Sequence, residues 1–243
     1  MNKQLHSKVL RTFREGVKEF QLVTPSDVIL IGLSGGKDSL ALVDLLGDMQ
    51  RRSNNSFKLH ALHVRMSEVD YQTDSSYLRE HCERNHICYH ERTVSFDRDR
   101  NERRTACFLC SWNRRKTLFE VAQELGCNKI ALGHHQDDIL HTALMNLFYS
   151  GSFSTMPCRI EMQKMPITII RPLCLVKEKL LKEWAIESEY QPLVKVCPYE
   201  KKSKRTYIAS LFDDLENMNP ELRGNLWNAL AKAGKLVEEV VTT

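Results

Sequence analysis

Hydrophobic positions near the start of the chain recur at about the 3.6-residue period of an α-helix. They predict an amphipathic helix over residues 4–22, which the segment Thr24-Pro25-Ser26 ends. Its apolar side chains are Leu5, Val9, Leu10, Phe13, Val17 and Phe20. Beyond this helix the pattern changes, and short apolar runs alternate with helical periods.

The short apolar runs are rich in β-branched residues and predict strands. They cover residues 27–33, 57–64, 87–94, 129–135 and 167–173. Helical patterns cover residues 39–49, 74–85, 112–125, 137–149, 176–189 and 203–235, the last interrupted at Asn219-Pro220. Strands that alternate with helices form a parallel sheet with right-handed crossovers.

The predicted fold is therefore α/β, with a Rossmann-like, doubly wound parallel sheet of about five strands. Helical additions flank the sheet at both ends of the chain. We divide the chain into an N-terminal helix over residues 1–24, an α/β domain over 25–175 and a helical C-terminal region over 176–243.

Composition indicates an ordinary globular protein, with 42% hydrophobic and 27% charged residues. No apolar run approaches the roughly 18 residues that span a membrane, and the N-terminus has no apolar stretch typical of a secretory signal. We therefore expect a soluble, cytoplasmic protein without a membrane partner. Its eight cysteines are expected to be thiols rather than disulfides.

The positive charge is concentrated in two runs, although the net charge is only +4. The first run lies between residues 98 and 116, and the second is KKSKR over residues 201–205. Such runs suit a phosphate backbone, but a solvated surface explains them as well.

A glycine turn, SGGKDS over Ser34–Ser39, follows the first predicted strand and opens a helix. Gly35 and Gly36 allow the backbone to approach an anion closely, and the helix N-terminus presents N–H groups to it. Lys37 adds a positive charge, while Asp38 caps the helix or holds a magnesium ion bound to the phosphate. The turn is not a Walker A loop, because that loop has a glycine where this chain has Ile31.

The sequence CFLC places Cys107 and Cys110 with a spacing that suits a metal or a redox disulfide. Cys197 is a third candidate, since Pro198 follows it in a predicted loop. Spacing alone leaves zinc, an iron–sulfur cluster and a disulfide open. The other cysteines lie within or beside predicted helices and strands and are interpreted as core or incidental thiols.

Two acidic residues, Asp137 and Asp138, open the helix that follows the fourth predicted strand. They either cap that helix or help to position Mg·ATP, because they share an edge of the sheet with the glycine turn. The preceding His134 and His135 either satisfy backbone groups or contact substrate.

The turn SGGKDS resembles the PP-loop of ATP pyrophosphatases, which cleave ATP between its α and β phosphates. With CFLC and a later cysteine, the chain is similar to the tRNA 2-thiocytidine synthetase family, the TtcA group of PP-loop enzymes. Further similar segments are GHHQDDILHTALMNLFYSG over residues 133–151 and IIRPLCLVKEK over residues 169–179. The resemblance spans roughly residues 8–210.

The resemblance implies an ATP-dependent tRNA sulfurtransferase that adenylates C2 of a cytidine and replaces its oxygen with sulfur. It implies ATP and Mg²⁺ bound by the PP-loop, and catalytic roles for Lys37, Asp38, Arg114 and Asp137. It also implies a [4Fe–4S] cluster held by Cys107, Cys110 and Cys197, with one iron left open for sulfur. The residues expected to bind ATP are Ser34, Gly35, Gly36, Lys37, Asp38 and Ser39.

The partners implied by the resemblance are tRNA, in its anticodon-loop region, and a sulfur donor such as a cysteine desulfurase. A homodimer is a further expectation. Two alternatives stay open: another PP-loop tRNA-modifying ligase of the 2-thiouridine or lysidine type, and a non-catalytic RNA-binding or redox-sensing module.

Overall fold

The computed structural model describes residues 2–96, 105–197 and 204–239. The strands in this part of the chain are β1 Val28–Gly32, β2 Lys58–Met66, β3 Asp70–Tyr71, β4 Cys88–Val94, β5 Lys129–Ala131, β6 Arg159–Glu161, β7 Thr168–Ile170, β8 Lys195–Val196 and β9 Val237–Glu238. The helices are α1 Lys3–Glu19, α2 Lys37–Arg52, α3 Ser76–Arg84, α4 Ala106–Glu124, α5 Gln136–Ser150, α6 Glu178–Glu187, α7 Lys204–Met218 and α8 Leu222–Lys232.

The main sheet has the strand order β4-β2-β1-β5-β7-β6-β9. Strands β4, β2, β1, β5 and β7 pair in parallel, while β6 runs antiparallel to β7. The predicted α/β fold is confirmed, but the main sheet has seven strands in the described chain rather than about five. The additional edge strands β6 and β9 are only three and two residues long, too short for a periodic signal.

The chain order reverses at β1, since β2 lies on one side of this strand and β5 on the other. Ligands of doubly wound sheets bind in the crevice that such a reversal leaves at the carboxyl ends of the strands. The glycine turn follows β1, and the segment with the histidines and aspartates follows β5. The fold therefore brings these two predicted segments to the two sides of one crevice.

Hydrophobic clusters cover both faces of the sheet. The larger cluster runs from Leu5 in α1 to Leu236 near β9, so the three predicted segments of the chain share it. The smaller cluster lies between the sheet and α4, around Leu62, Val121 and Ile130. In the described ranges, no helix is both long and apolar enough to cross a membrane.

Helix α4 begins at Ala106, several residues before the predicted start at residue 112. Thr105 caps it, with the Thr105 hydroxyl oxygen accepting a hydrogen bond from the Phe108 N–H at 3.2 Å. Cys107 and Cys110 therefore lie in the first turns of this helix rather than in a preceding loop.

Candidate active site

A cavity of about 300 Å³ lies in the crevice between β1 and β5. Its apolar wall comes from the sheet and from α4, and includes Leu62 and Leu118. The polar side chains that line it are Ser34, Asp38, Ser39, Arg114, His134 and Asp138. The glycine turn, the segment after β5 and helix α4 thus surround one cavity.

Gly35 has a backbone that only glycine adopts readily, with φ at +83°. A Cβ there would lie 2.5 Å from the Leu193 Cβ. The Leu193 N–H also donates to the Gly35 carbonyl oxygen at 2.8 Å. The segment before β8 is therefore packed directly onto the turn, which explains the glycine at position 35.

Gly36 is the N-cap residue of α2, and no described side chain supplies a capping hydrogen bond there. Two serine hydroxyls shape the turn instead. The Ser39 Oγ donates to the Gly36 carbonyl oxygen at 2.9 Å, and the Ser34 Oγ lies 3.1 Å from the Ser39 Oγ. The uncapped start of α2 is suited to an anionic ligand, because helix N-termini carry partial positive charge.

Lys37 is held between two carboxylates. Its Nζ lies 2.9 Å from the Asp38 Oδ2 and 3.2 Å from the Glu178 Oε1 of α6. Burial alone would lower the pKa of Lys37, but its hydrogen bonds and charge interactions with Asp38 and Glu178 outweigh burial and raise the pKa. The lysine is therefore charged at neutral pH and positioned beside the start of α2.

Three side chains that line the cavity have buried polar atoms without a hydrogen-bond partner among the described residues. These atoms are the Asp38 Oδ1, the Arg114 Nε and the His134 Nδ1. Buried polar groups are nearly always hydrogen-bonded, so such atoms gathered around one cavity indicate a polar ligand. A ligand in the cavity can therefore contact the anionic Asp38, the cationic Arg114 and the neutral His134.

His134 is the neutral group. Burial, together with the positive charge of Arg171, lowers its pKa to about 4, with Asp138 opposing the shift. The charge of Arg205 in α7 also lowers this pKa. At neutral pH the imidazole can donate one hydrogen bond and accept another.

Arg114 is oriented by the small sheet of β3 and β8. Its Nη2 donates to the Tyr71 hydroxyl at 3.2 Å, and the same hydroxyl accepts the Met66 N–H at 3.1 Å. Tyr71 pairs with Lys195 across β3 and β8. The guanidinium is therefore tied to the strand that leads into Cys197.

The predicted cluster cysteines lie on linked elements. Cys107 and Cys110 are three residues apart in α4 and so share one face of the helix. Cys197 follows β8, which pairs with β3. Tyr71 of β3 is hydrogen-bonded to Arg114, which lies one turn after Cys110 in α4. Within the described ranges, no three cysteine, histidine or acidic side chains are close enough to hold a metal ion. The thiols suit an iron–sulfur cluster in chemistry, and their elements are linked through β3, which pairs with β8 and is hydrogen-bonded to α4.

The PP-loop domain family matches residues 1–207 of the chain. The chain belongs to the PP-loop family. A relative from Polynucleobacter asymbioticus named tRNA-cytidine(32) 2-sulfurtransferase is 32% identical, over 93% of this chain and 76% of the relative. A second from Francisella tularensis subsp. novicida, tRNA-cytidine(32) 2-sulfurtransferase 1, is 31% identical over 94% of this chain and 87% of the relative. The predicted resemblance to the tRNA 2-thiocytidine group is confirmed, and with it an enzyme of the PP-loop transferase type.

Among solved structures, the U34-tRNA thiolase NcsA from Methanococcus maripaludis with its [4Fe-4S] cluster is similar in fold. The TM-score is 0.74 at 24% identity, over 96% of this chain and 84% of that one. At this identity the likeness supports the PP-loop fold alone.

The surroundings of Asp137 differ from those expected for its predicted catalytic role. It does not line the PP-loop cavity, whereas Asp138 does. The Asp137 carboxylate accepts the Glu178 N–H at 2.7 Å and the Arg223 Nη2 at 2.8 Å. Burial alone would raise the pKa of Asp137, but these hydrogen bonds and the charge of Arg223 lower it. These contacts join α5 to α6 and α8.

The sequence assigned no definite role to His134 and Asp138, although both line the cavity. Asp138 also completes a capping box with His135, since its carboxylate accepts the His135 N–H at 3.1 Å. The usual signal of a capping box is Ser or Thr followed three residues later by Glu or Gln, so this cap carries no standard sequence signal.

Much of the two basic runs lies outside the described residues, including Arg98, Arg100, Lys201 and Lys202.

Proposed function

We propose that this protein is an ATP-dependent tRNA sulfurtransferase that converts a cytidine to 2-thiocytidine. The observation that carries the proposal is the cavity at the reversal of the sheet, where Asp38 of the PP-loop, Arg114 and His134 have polar atoms without a described hydrogen-bond partner. The names of the family relatives supply the chemistry of thiolation.

In the first step, the C2 oxygen of the cytidine attacks the α phosphate of ATP. A C2–O–P bond forms, the bond between the α and β phosphates breaks, and pyrophosphate leaves. The start of α2 and Lys37 bind the leaving phosphates, and Asp38 holds the Mg²⁺ that accompanies them. Arg114 stabilises negative charge that develops at the α phosphate.

Neutral His134 suits the same step, because it can hydrogen-bond the base or a phosphate oxygen without adding charge. In the second step, a sulfur nucleophile attacks C2, and the C2–O bond breaks so that AMP leaves with the oxygen. A [4Fe–4S] cluster held by Cys107, Cys110 and Cys197 would supply sulfur binding at the site.

Purified protein, ATP, Mg²⁺, a sulfide source and unmodified tRNA test the proposal. We expect tRNA-dependent pyrophosphate release and, by mass spectrometry, a nucleoside heavier than cytidine by the difference between a sulfur and an oxygen atom. A thiolated uridine, or lysidine in a parallel mixture that contains lysine, would support one of the alternative PP-loop ligases. Absence of any tRNA-dependent pyrophosphate release would refute the proposal.

Several finer expectations remain predictions. They are the anticodon-loop target, a cysteine desulfurase as sulfur donor, a homodimer and a cytoplasmic location.

A further inference from the structure

An exposed aromatic surface lies where α7 begins beside the end of α5. Tyr149 is 50% exposed and Tyr207 is 64% exposed, although tyrosine is a residue of intermediate burial in general. The Lys204 Nζ lies 4.4 Å from the centre of the Tyr149 ring, and Tyr207 is one turn further along α7. We call Tyr149, Lys204 and Tyr207 the α5–α7 aromatic surface.

The positively charged residues of α7 lie at this surface and not along the rest of the helix. Lys204 and Arg205 occupy its first turn, whereas Asp213 and Asp214 lie in its second half. Phosphate groups are therefore favoured at the start of α7 and disfavoured at its end. A polyanion that uses α7 would contact only its first two turns.

Helix α5 begins at the cavity, where Asp138 lines it, and its other end carries Tyr149 beside Lys204 of α7. Helices α5 and α7 also pack through the ring contact of His141 and Phe212, whose centroids are 5.1 Å apart. The aromatic surface is thus carried on the helix that begins at the cavity and on the helix packed against it. An RNA that places one nucleotide in the cavity can bring neighbouring nucleotides to this surface.

We propose that the α5–α7 aromatic surface binds unpaired nucleotides of the tRNA substrate by stacking them on Tyr149 and Tyr207. Exposed rings beside cations are the arrangement that binds single-stranded RNA without strict sequence preference. Lys204 and Arg205 contact the adjoining phosphates. This inference rests on the proposed function for the identity of the RNA.

The two kinds of contact differ in their response to salt. Each lost stacking contact weakens RNA binding by about 5- to 150-fold and leaves the salt dependence unchanged. A lost phosphate contact reduces the slope of log Kd against log salt by about 1. Titrations at several salt concentrations therefore distinguish Tyr149→Ala and Tyr207→Ala, which change the affinity alone, from Lys204→Gln, which also changes the salt slope.

The experiment measures binding of an unmodified tRNA and of a fully paired RNA duplex to the full chain by fluorescence anisotropy. We expect Tyr149→Ala and Tyr207→Ala to weaken tRNA binding, with little effect on duplex binding or on the Kd for ATP. Tyr207→Phe keeps the ring and should bind like the unaltered protein. Ile186→Ala, which removes an exposed apolar side chain from α6, is the matched control.

Wild-type tRNA affinity in both tyrosine-to-alanine variants would overturn the inference. Loss of self-association in these variants, with tRNA binding intact, would also overturn it and assign the surface to a second copy of the chain. The proposed function fails separately, through absent pyrophosphate release by the unaltered protein.

Discussion

Replacing Gly35 with alanine tests how the segment before β8 shapes the PP-loop. The backbone at Gly35 is left-handed, which costs an alanine about 1–2 kcal/mol. The new Cβ would lie 2.5 Å from the Leu193 Cβ, so the two segments must separate. Such overpacking costs about 1–3 kcal/mol, and the two effects together lower the free energy of unfolding by about 2–5 kcal/mol.

Two other glycines separate these effects. Gly126 has φ at +66°, and an alanine Cβ at that position would have no described atom within 4 Å, so Gly126→Ala carries only the backbone cost. Gly36 has an ordinary φ of −85°, and its nearest neighbour is the Ser34 Oγ at 3.6 Å. Gly36→Ala should therefore leave the fold nearly unchanged.

Urea denaturation followed by circular dichroism measures the three variants, and calorimetry measures their ATP affinity. We expect Gly35→Ala to be about 1–3 kcal/mol less stable than Gly126→Ala, which is the overpacking cost alone. Combining Gly35→Ala with Leu193→Gly removes the clashing Cβ, and a double-mutant cycle should show a favourable coupling. Equal stability of Gly35→Ala and Gly126→Ala, with no coupling to Leu193, would refute this account of the turn.

Three further predictions concern the site and its supports. Lys37→Ala should weaken ATP binding, measured by calorimetry, about 10- to 150-fold because one charged contact is lost, and its iron content should stay unchanged. Unchanged ATP affinity would contradict the role of Lys37. Protein reconstituted without oxygen should hold about four irons. Cys197→Ser should lose most of this iron, whereas Cys127→Ser, at a buried cysteine, should keep it, and full iron in Cys197→Ser would exclude Cys197 as a ligand. Asp137→Asn should lower the free energy of unfolding by about 1.5–3 kcal/mol at pH 7, because Arg223 loses one charged partner and keeps Glu216. The pKa of Asp137 is lowered in the folded protein, so its contribution to the free energy of unfolding is present above the unfolded value of 3.8 and is lost as pH falls through the folded pKa. The free energies of unfolding of the unaltered protein and of Asp137→Asn should therefore converge in acid. A constant difference between them down to about pH 2 would argue against this linkage.

The sequence by itself determined the features that depend on neighbouring residues in the chain. The alternation of strands and helices predicted the α/β fold, because each element carries its own hydrophobic period. The turn over Ser34–Ser39 was recognisable for the same reason, since its glycines, its lysine and the helix that it opens are contiguous. The resemblance of this contiguous turn to the PP-loop indicated the family to which the chain belongs.

Only the tertiary structure decided which side chains meet. Adjacent carboxylates in α5 point to different surroundings, so Asp137 pairs with Arg223 while Asp138 lines the cavity. The sequence offered no means to separate them, because helix rotation is set by packing against α6 and α8. The contact of Leu193 with Gly35 likewise joins residues far apart in the chain, and such contacts follow from the strand order, which local periodicity does not encode.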